Sequence, residues 1–220
     1  MIIKEAKVLK SHGKQYIPDL EAVELTPLFR GRPEISAGIT LAEAERLAGL
    51  CPTQAIGTTP VSIDLGKCVF CKECEFALPD KVHFTNDYKI AANKRDDLII
   101  GAGITNSVTV NEDEIATVIR NYFGHALKLR QVSAAGDNSC EMELNASGNV
   151  NFDLGRYGIE FLASPRHCDG IVITGPISEN MAEPLQICYD SIPEPKIIIL
   201  AGTDAISGGI FSDCKALNRN

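Results

Sequence analysis

The sequence has no tryptophan, few aromatic residues (6%) and no long apolar run. Its longest apolar stretches, such as Ile197–Ala201, fall far short of the ~20 residues that cross a bilayer as a helix, so no direct membrane span is expected. The opening Met1-Ile2-Ile3-Lys4-Glu5 lacks the basic-then-apolar order of a secretory leader. The expected location is cytoplasmic, with any membrane association made through partner subunits. Positive charge is also scarce: 21 Lys and Arg stand against 29 Asp and Glu, for a net charge of −8. A nucleic-acid partner would need a concentrated basic patch to meet its phosphates, so nucleic acid is excluded as a partner. Gly101-Ala102-Gly103-Ile104-Thr105-Asn106 lacks the third glycine and the strand–helix setting of a dinucleotide loop, and reads as a turn.

What the chain does have is a globular composition, with 45% apolar and 23% charged residues. Its 220 residues suffice for one large domain or two small ones. It also has eight cysteines, at 51, 68, 71, 74, 140, 168, 188 and 214. In the cytoplasmic setting expected, these read as metal ligands or small buried apolar residues rather than a disulfide framework.

Residues 1–34 read as an extended lead-in with turns. Leu41, Ala44, Leu47 and Ala48 share one face of a helix over 40–50, and Thr40 with Glu43 makes a capping box at its front. Residues 81–100 read as a short strand pair followed by a loop of mixed charge. The apolar stripe Ile115, Val118, Ile119, Tyr122 and Phe123 predicts an amphipathic helix from Asn111 through Leu129. Beyond residue 130, apolar runs alternate with helical patterns. Strands are expected at Leu129–Ser133, Ile159–Leu162, Ile171–Thr174 and Lys196–Leu200, with a helix at about 179–190, which together predict a parallel α/β sheet.

Cys68-Val69-Phe70-Cys71-Lys72-Glu73-Cys74 is a C-x₂-C-x₂-C array, whose thiolates can take three corners of one iron–sulfur cubane. Two-cluster bacterial ferredoxins carry C-x₂-C-x₂-C-x₃-C-P twice, and the last cysteine of each run serves the other cluster. Here the last position of the second run is Leu78, before Pro79, while Cys51-Pro52 ends a first run whose other positions are Leu41, Ala44 and Leu47. The surviving Cys51, Cys68, Cys71 and Cys74 all belong to one cluster, and the missing four all belong to the other. One 4Fe–4S cluster is expected on these four residues. A zinc site that borrows His83, and buried thiols without metal, are the alternatives.

Phe29-Arg30-Gly31-Arg32-Pro33-Glu34, Cys51-Pro52-Thr53-Gln54-Ala55-Ile56 and Leu65-Gly66-Lys67-Cys68-Val69-Phe70-Cys71 resemble the ferredoxin-like subunit of formate hydrogenlyase. That subunit is itself related to the two-cluster, twenty-three-kilodalton subunit of complex I. Cys140-Glu141-Met142-Glu143, Ser164-Pro165-Arg166-His167-Cys168-Asp169 and Gly202-Thr203-Asp204-Ala205-Ile206-Ser207-Gly208-Gly209 resemble the small subunit of membrane-type nickel–iron hydrogenases, related to the twenty-kilodalton subunit of complex I. The chain thus resembles a fusion of two electron-transfer subunits. The resemblance implies an N-terminal lead-in (1–34), an α+β ferredoxin-like domain (35–100), a linker with an amphipathic helix (101–129) and a flavodoxin-like α/β domain (130–220). It implies that the second domain's proximal cluster is degenerate, because Asp137 and Asp204 stand where the family places cysteines and Cys140 alone remains. A second cluster is therefore not expected, the alternative being an atypical one on Cys140 with Asp137 and Asp204. Cys168, Cys188 and Cys214 read as structural thiols and His167 as a structural hydrogen-bonding residue.

The implied function is electron transfer, without a catalytic residue, inside a multisubunit oxidoreductase. Its implied partners are a protein like the hydrogenase large subunit or the forty-nine-kilodalton subunit of complex I, and other iron–sulfur or flavin subunits. The alternative is a structural adaptor that docks a large-subunit relative to redox subunits.

Overall fold

The structure, a computed structural model, describes residues 2–13, 16–106, 108–124 and 126–218. It begins with a helix, α1 (Ile2–His12), where the sequence predicts an extended lead-in. Its apolar and basic residues each recur every third position, a helical period that carries no burial signal because the helix lies exposed. The chain continues through β1 (Pro33–Ile35), α2 (Leu41–Leu50), β2 (Ile56–Thr58), β3 (Val61–Asp64), α3 (Glu73–Ala77), β4 (Val82–Phe84) and β5 (Ile99–Gly101).

The strands of this half pair antiparallel, β1 with β4, and β2–β3–β5 in a three-stranded sheet. The strand pair expected inside 81–100 is therefore corrected: β4 and β5 each pair with an earlier strand and not with one another. α2 forms as predicted. Thr40 accepts from the Glu43 amide while Glu43 accepts from the Thr40 amide, so two otherwise orphaned donors are satisfied. Leu47 on its inner face joins Ile35, Ile63, Leu65, Val82, Phe84 and Ile100 in the first core, and Ala44 is fully buried. Each large side chain buried there contributes about 1.5–3 kcal/mol. Arg32 is buried beside that core, where its guanidinium donates to Asp87, Glu34 and the Thr105 carbonyl.

The second half follows α4 (Glu112–Tyr122) and comprises β6 (Leu127–Ser133), α5 (Ser139–Ala146), β7 (Ile159–Phe161), β8 (Gly170–Thr174), α6 (Glu179–Asp190), β9 (Ile197–Ala201) and α7 (Thr203–Ser207). α4 stops at Tyr122, short of the predicted Leu129, because Gly124 adopts φ +60° and the chain turns into β6. Within its predicted stripe, Ile115 and Tyr122 are exposed and Phe123 half-buried; the Val118 and Ile119 side chains lie outside the described residues. The four strands form a parallel sheet in the order β7–β6–β8–β9. Counted within this half the order is 2-1-3-4, as in the first four strands of a flavodoxin-like sheet. β8, Gly-Ile-Val-Ile-Thr, is buried along its whole length, which explains its unbroken apolar run.

The halves touch. Ile206 of α7 packs against the first core, and a Cβ on Gly66 would lie 2.8 Å from Ile206 Cγ2 and from the Arg95 guanidinium carbon. Glycine at 66 thus lets the cysteine-rich loop and α7 meet.

Candidate metal centre

β3 ends at Asp64, whose side chain organises the loop that follows. It accepts from the Gly66 amide (2.9 Å) and from Arg95 (2.5 Å), while its carbonyl accepts from the Lys67 and Cys68 amides. This turn places Cys68, which is buried. Two residues then take left-handed backbone: Phe70 at φ +54° between Cys68 and Cys71, and Lys72 at φ +69° between Cys71 and Cys74. Lys72 begins α3, so Cys74 lies on its first turn. Cys51 arrives from the other side as the cap of α2, and Gln54 beyond it is again left-handed, at φ +53°. Alternation of this kind turns backbone N–H groups into a concave nest suited to anions and iron–sulfur sites. Two such amides meet sulfur: Ala55 N–H donates to Cys51 Sγ at 3.2 Å and Phe70 N–H to Cys68 Sγ at 3.4 Å.

The result is one narrow cleft, partly open to solvent, lined by all four predicted cysteines together with Thr53, Ala55, Ile63, Val69 and Phe84. Burial, reinforced by repulsion from the other thiolates, pushes Cys68 up to about 12 and Cys74 up to about 11, with backbone N–H bonds only partly offsetting it. A bound metal would favour the deprotonated thiols and so oppose this effect of burial. Among the described residues no three His, Cys, Asp or Glu side chains converge on a point that would hold a single metal ion. The four thiols line the cleft without converging on such a point. His83 is turned outward and bonds Glu75 (2.9 Å) rather than lining the cleft.

At the positions without cysteine, Ala44 and Leu47 are buried and Leu78 is half-buried against the core. Leu41, in contrast, is 55% exposed and fills no buried space.

The second candidate site lies beyond the carboxyl ends of β6 and β9, where open α/β sheets place their ligands. Asp137, Cys140 and Asp204 do come together, lining an open cleft with Ser139, Gly202, Thr203 and Ile210. Cys140 Sγ rests on Gly202, where a Cβ would lie 2.3 Å from it. The Asp204 carboxylate rests likewise on Gly209. Burial, then repulsion from Asp137 and Glu141, raises the Asp204 pKa; burial also raises that of Cys140, with the neighbouring carboxylates adding to it. Asp137 instead is lowered by the side-chain and backbone donors of Ser139, at 2.6 and 2.9 Å. Burial of Glu141 is outweighed by donation from Ser133 (2.5 Å) and Thr174 (2.7 Å), which keeps it ionised.

Sequence reasoning missed that this cleft is also walled by Cys68, Val69 and Phe70. The two sites share a wall, which no spacing signals because it depends on how α7 docks. Of the remaining cysteines, Cys168 is buried and donates to the Ser164 carbonyl at 3.3 Å, Cys188 packs against the same core, and Cys214 is exposed.

Comparison with known proteins bears on this half. Residues 138–219 match the family described as NADH ubiquinone oxidoreductase, 20 Kd subunit. The second half of the chain is similar to that subunit. The NADH-quinone oxidoreductase B subunit of Desulfovibrio desulfuricans is 44% identical over 33% of this chain and 39% of its own length. The probable membrane-bound hydrogenase subunit mbhJ of Pyrococcus furiosus is 29% identical over 49% of this chain and 64% of its own. Formate hydrogenlyase subunit 7 of Escherichia coli is 41% identical over 38% of this chain and 32% of its own. The chain therefore spans less than two thirds of each of these relatives.

Proposed function

We propose that the chain is an iron–sulfur electron-transfer subunit of a multisubunit oxidoreductase related to hydrogenases, formate hydrogenlyase and complex I. In this reading residues 35–100 are a ferredoxin-like domain, and Cys51, Cys68, Cys71 and Cys74 hold one 4Fe–4S cluster. The observation that carries it is the gathering of these four thiols around one cleft, with backbone amides aimed at two of the sulfurs. A cubane takes one thiolate on each of its four irons, so its ligands enclose a volume and need not meet at a point. When bound it accepts and returns one electron at a time. The protein's part is to present the thiolates, donate N–H bonds to sulfur and limit water, all of which set the potential.

Residues 130–220 form the domain similar to the hydrogenase small subunit and its complex I counterpart, and hold no cluster of their own. One thiolate and two carboxylates are a poor set for a cubane, since carboxylates are hard ligands. Partners resembling the hydrogenase large subunit or the forty-nine-kilodalton subunit of complex I, with further iron–sulfur or flavin subunits, accord with the multisubunit setting of the relatives. Asp137 and Asp204 also favour a second reading for this half, that of a structural adaptor.

Anaerobic purification should yield about four irons and four sulfides per chain, with visible absorbance that bleaches on reduction. Cys71→Ser should lose iron and slow electron flux through the assembled complex. Stoichiometric zinc without iron would overturn the cluster. Unchanged flux with normal assembly in Cys71→Ser would leave the adaptor reading standing instead.

A further inference from the structure

α1 is 11 residues long, and all of its described side chains are exposed. Ile3, Ala6 and Leu9 recur every third residue and form one stripe along it, and Lys4, Lys7 and Lys10 form a second stripe. At 100° per residue the lysine stripe lies directly beside the apolar one, and Val8 falls outside both. Ile3 is 74% exposed and Leu9 70%. Apart from Glu5 the helix has no acidic residue, although the chain as a whole carries a net charge of −8. Three of the 21 basic residues thus lie along a helix whose apolar side is uncovered.

We infer that α1 is a peripheral membrane contact that lies flat on an anionic lipid surface. An apolar stripe edged by lysines is the pattern of helices that rest at the headgroup boundary, with apolar side chains below and ammonium groups among the phosphates. The occupant follows from charge complementarity. A second copy would bring three lysines against three lysines, whereas an anionic leaflet attracts them. No helix among the described residues is long and apolar enough to cross a membrane, so this contact is superficial. It goes beyond the proposed electron-transfer role, which calls for membrane association only through partners.

The test is flotation of the full chain, loaded anaerobically, with phosphatidylcholine vesicles made with and without phosphatidylserine. Binding is expected only to the serine-containing vesicles and should fall as salt is raised. Each lysine near such a surface strengthens binding about five-fold, so Lys4→Gln, Lys7→Gln and Lys10→Gln combined should weaken it about a hundred-fold. Leu9→Asp should weaken it as well. These variants alter side chains outside both cores, so unchanged circular dichroism and iron content should accompany the loss. Absence of binding, equal binding to both vesicle types, or binding indifferent to the lysine changes would each overturn the inference. So would variants that leave vesicle binding intact but lose a co-purifying subunit, which would assign the helix to a protein partner. Iron content reports separately on the cluster, so failure of one reading does not mask failure of the other.

Discussion

Replacing Gly202 by alanine separates packing from ligation at Cys140. Gly202 has φ +87° and ψ 162°, a region open essentially to glycine alone, where a side chain costs about 1–3 kcal/mol. Its Cβ would also lie 2.3 Å from Cys140 Sγ, and overpacking of that kind costs about another 1–3 kcal/mol. Together these come to about 4 kcal/mol, or a fall in Tm of about 8–16 °C for a chain of this size. Only the second component involves sulfur. In the double variant with Cys140→Ala the nearest obstacle is gone, since Cys140 Cβ lies 3.9 Å away, and only the backbone cost should persist. The expected coupling between the two sites is therefore about 1–3 kcal/mol in the direction of relief. Anaerobic thermal melts of the four proteins, each assayed for iron, measure it. Iron content should be the same in Cys140→Ala as in the parent. Additive effects would refute the packing geometry, and loss of iron on Cys140→Ala would refute the cluster-free second half.

Two further predictions concern buried charge. Arg32→Ala removes the cation between Asp87 and Glu34 at the base of the first core, and breaking a buried pair on one side costs about 3–5 kcal/mol; a loss under about 1 kcal/mol in denaturant melts would show that solvent screens the site. Asp204 is held above its ordinary value of 3.8 by burial and then by Asp137 and Glu141. Its contribution to stability is thus complete below that value and lost as pH rises through the raised one. Asp204→Asn should flatten this part of the pH profile and raise Tm at neutral pH, and an unaltered profile in thermal melts from acid to neutral would contradict it.

Local patterns in the sequence carry the elements whose signals are local. α2 announces itself through Thr40 and Glu43, and β8 through an apolar run too short for a helix. The four thiols that line the first cleft are legible because three are tied by a two-residue spacing and Cys51 is marked by Pro52. The antiparallel pairing of β1 with β4 is not, since it joins residues about fifty apart through backbone bonds that any side chains permit. α1 escapes notice because its period of three is spent on solvent-facing residues. The helix at 112–122 is overextended because Leu127 and Leu129 suit a helical stripe as well as the alternation of β6, and Gly124 alone breaks the tie.

The two clefts also show one backbone device with two chemical outcomes. Lys72 and Asn138 have the same torsions, φ 69° and ψ 8°, and each stands two residues before a cysteine on the first turn of a helix. In the first loop the neighbours are Cys51, Cys68 and Cys71, a set of soft sulfur ligands. In the second they are Asp137, Glu141 and Asp204, which add to the effect of burial in raising the Cys140 pKa and offer a metal hard oxygen instead of soft sulfur. Backbone shape alone therefore does not decide what either loop holds; the side chains around the single shared cysteine position do. If the first loop alone is loaded, the chain is a carrier with one centre. Cys51, Cys71 and Cys74 are the half-exposed members of the first set, and Cys68 and Val69 form the wall that the two clefts share.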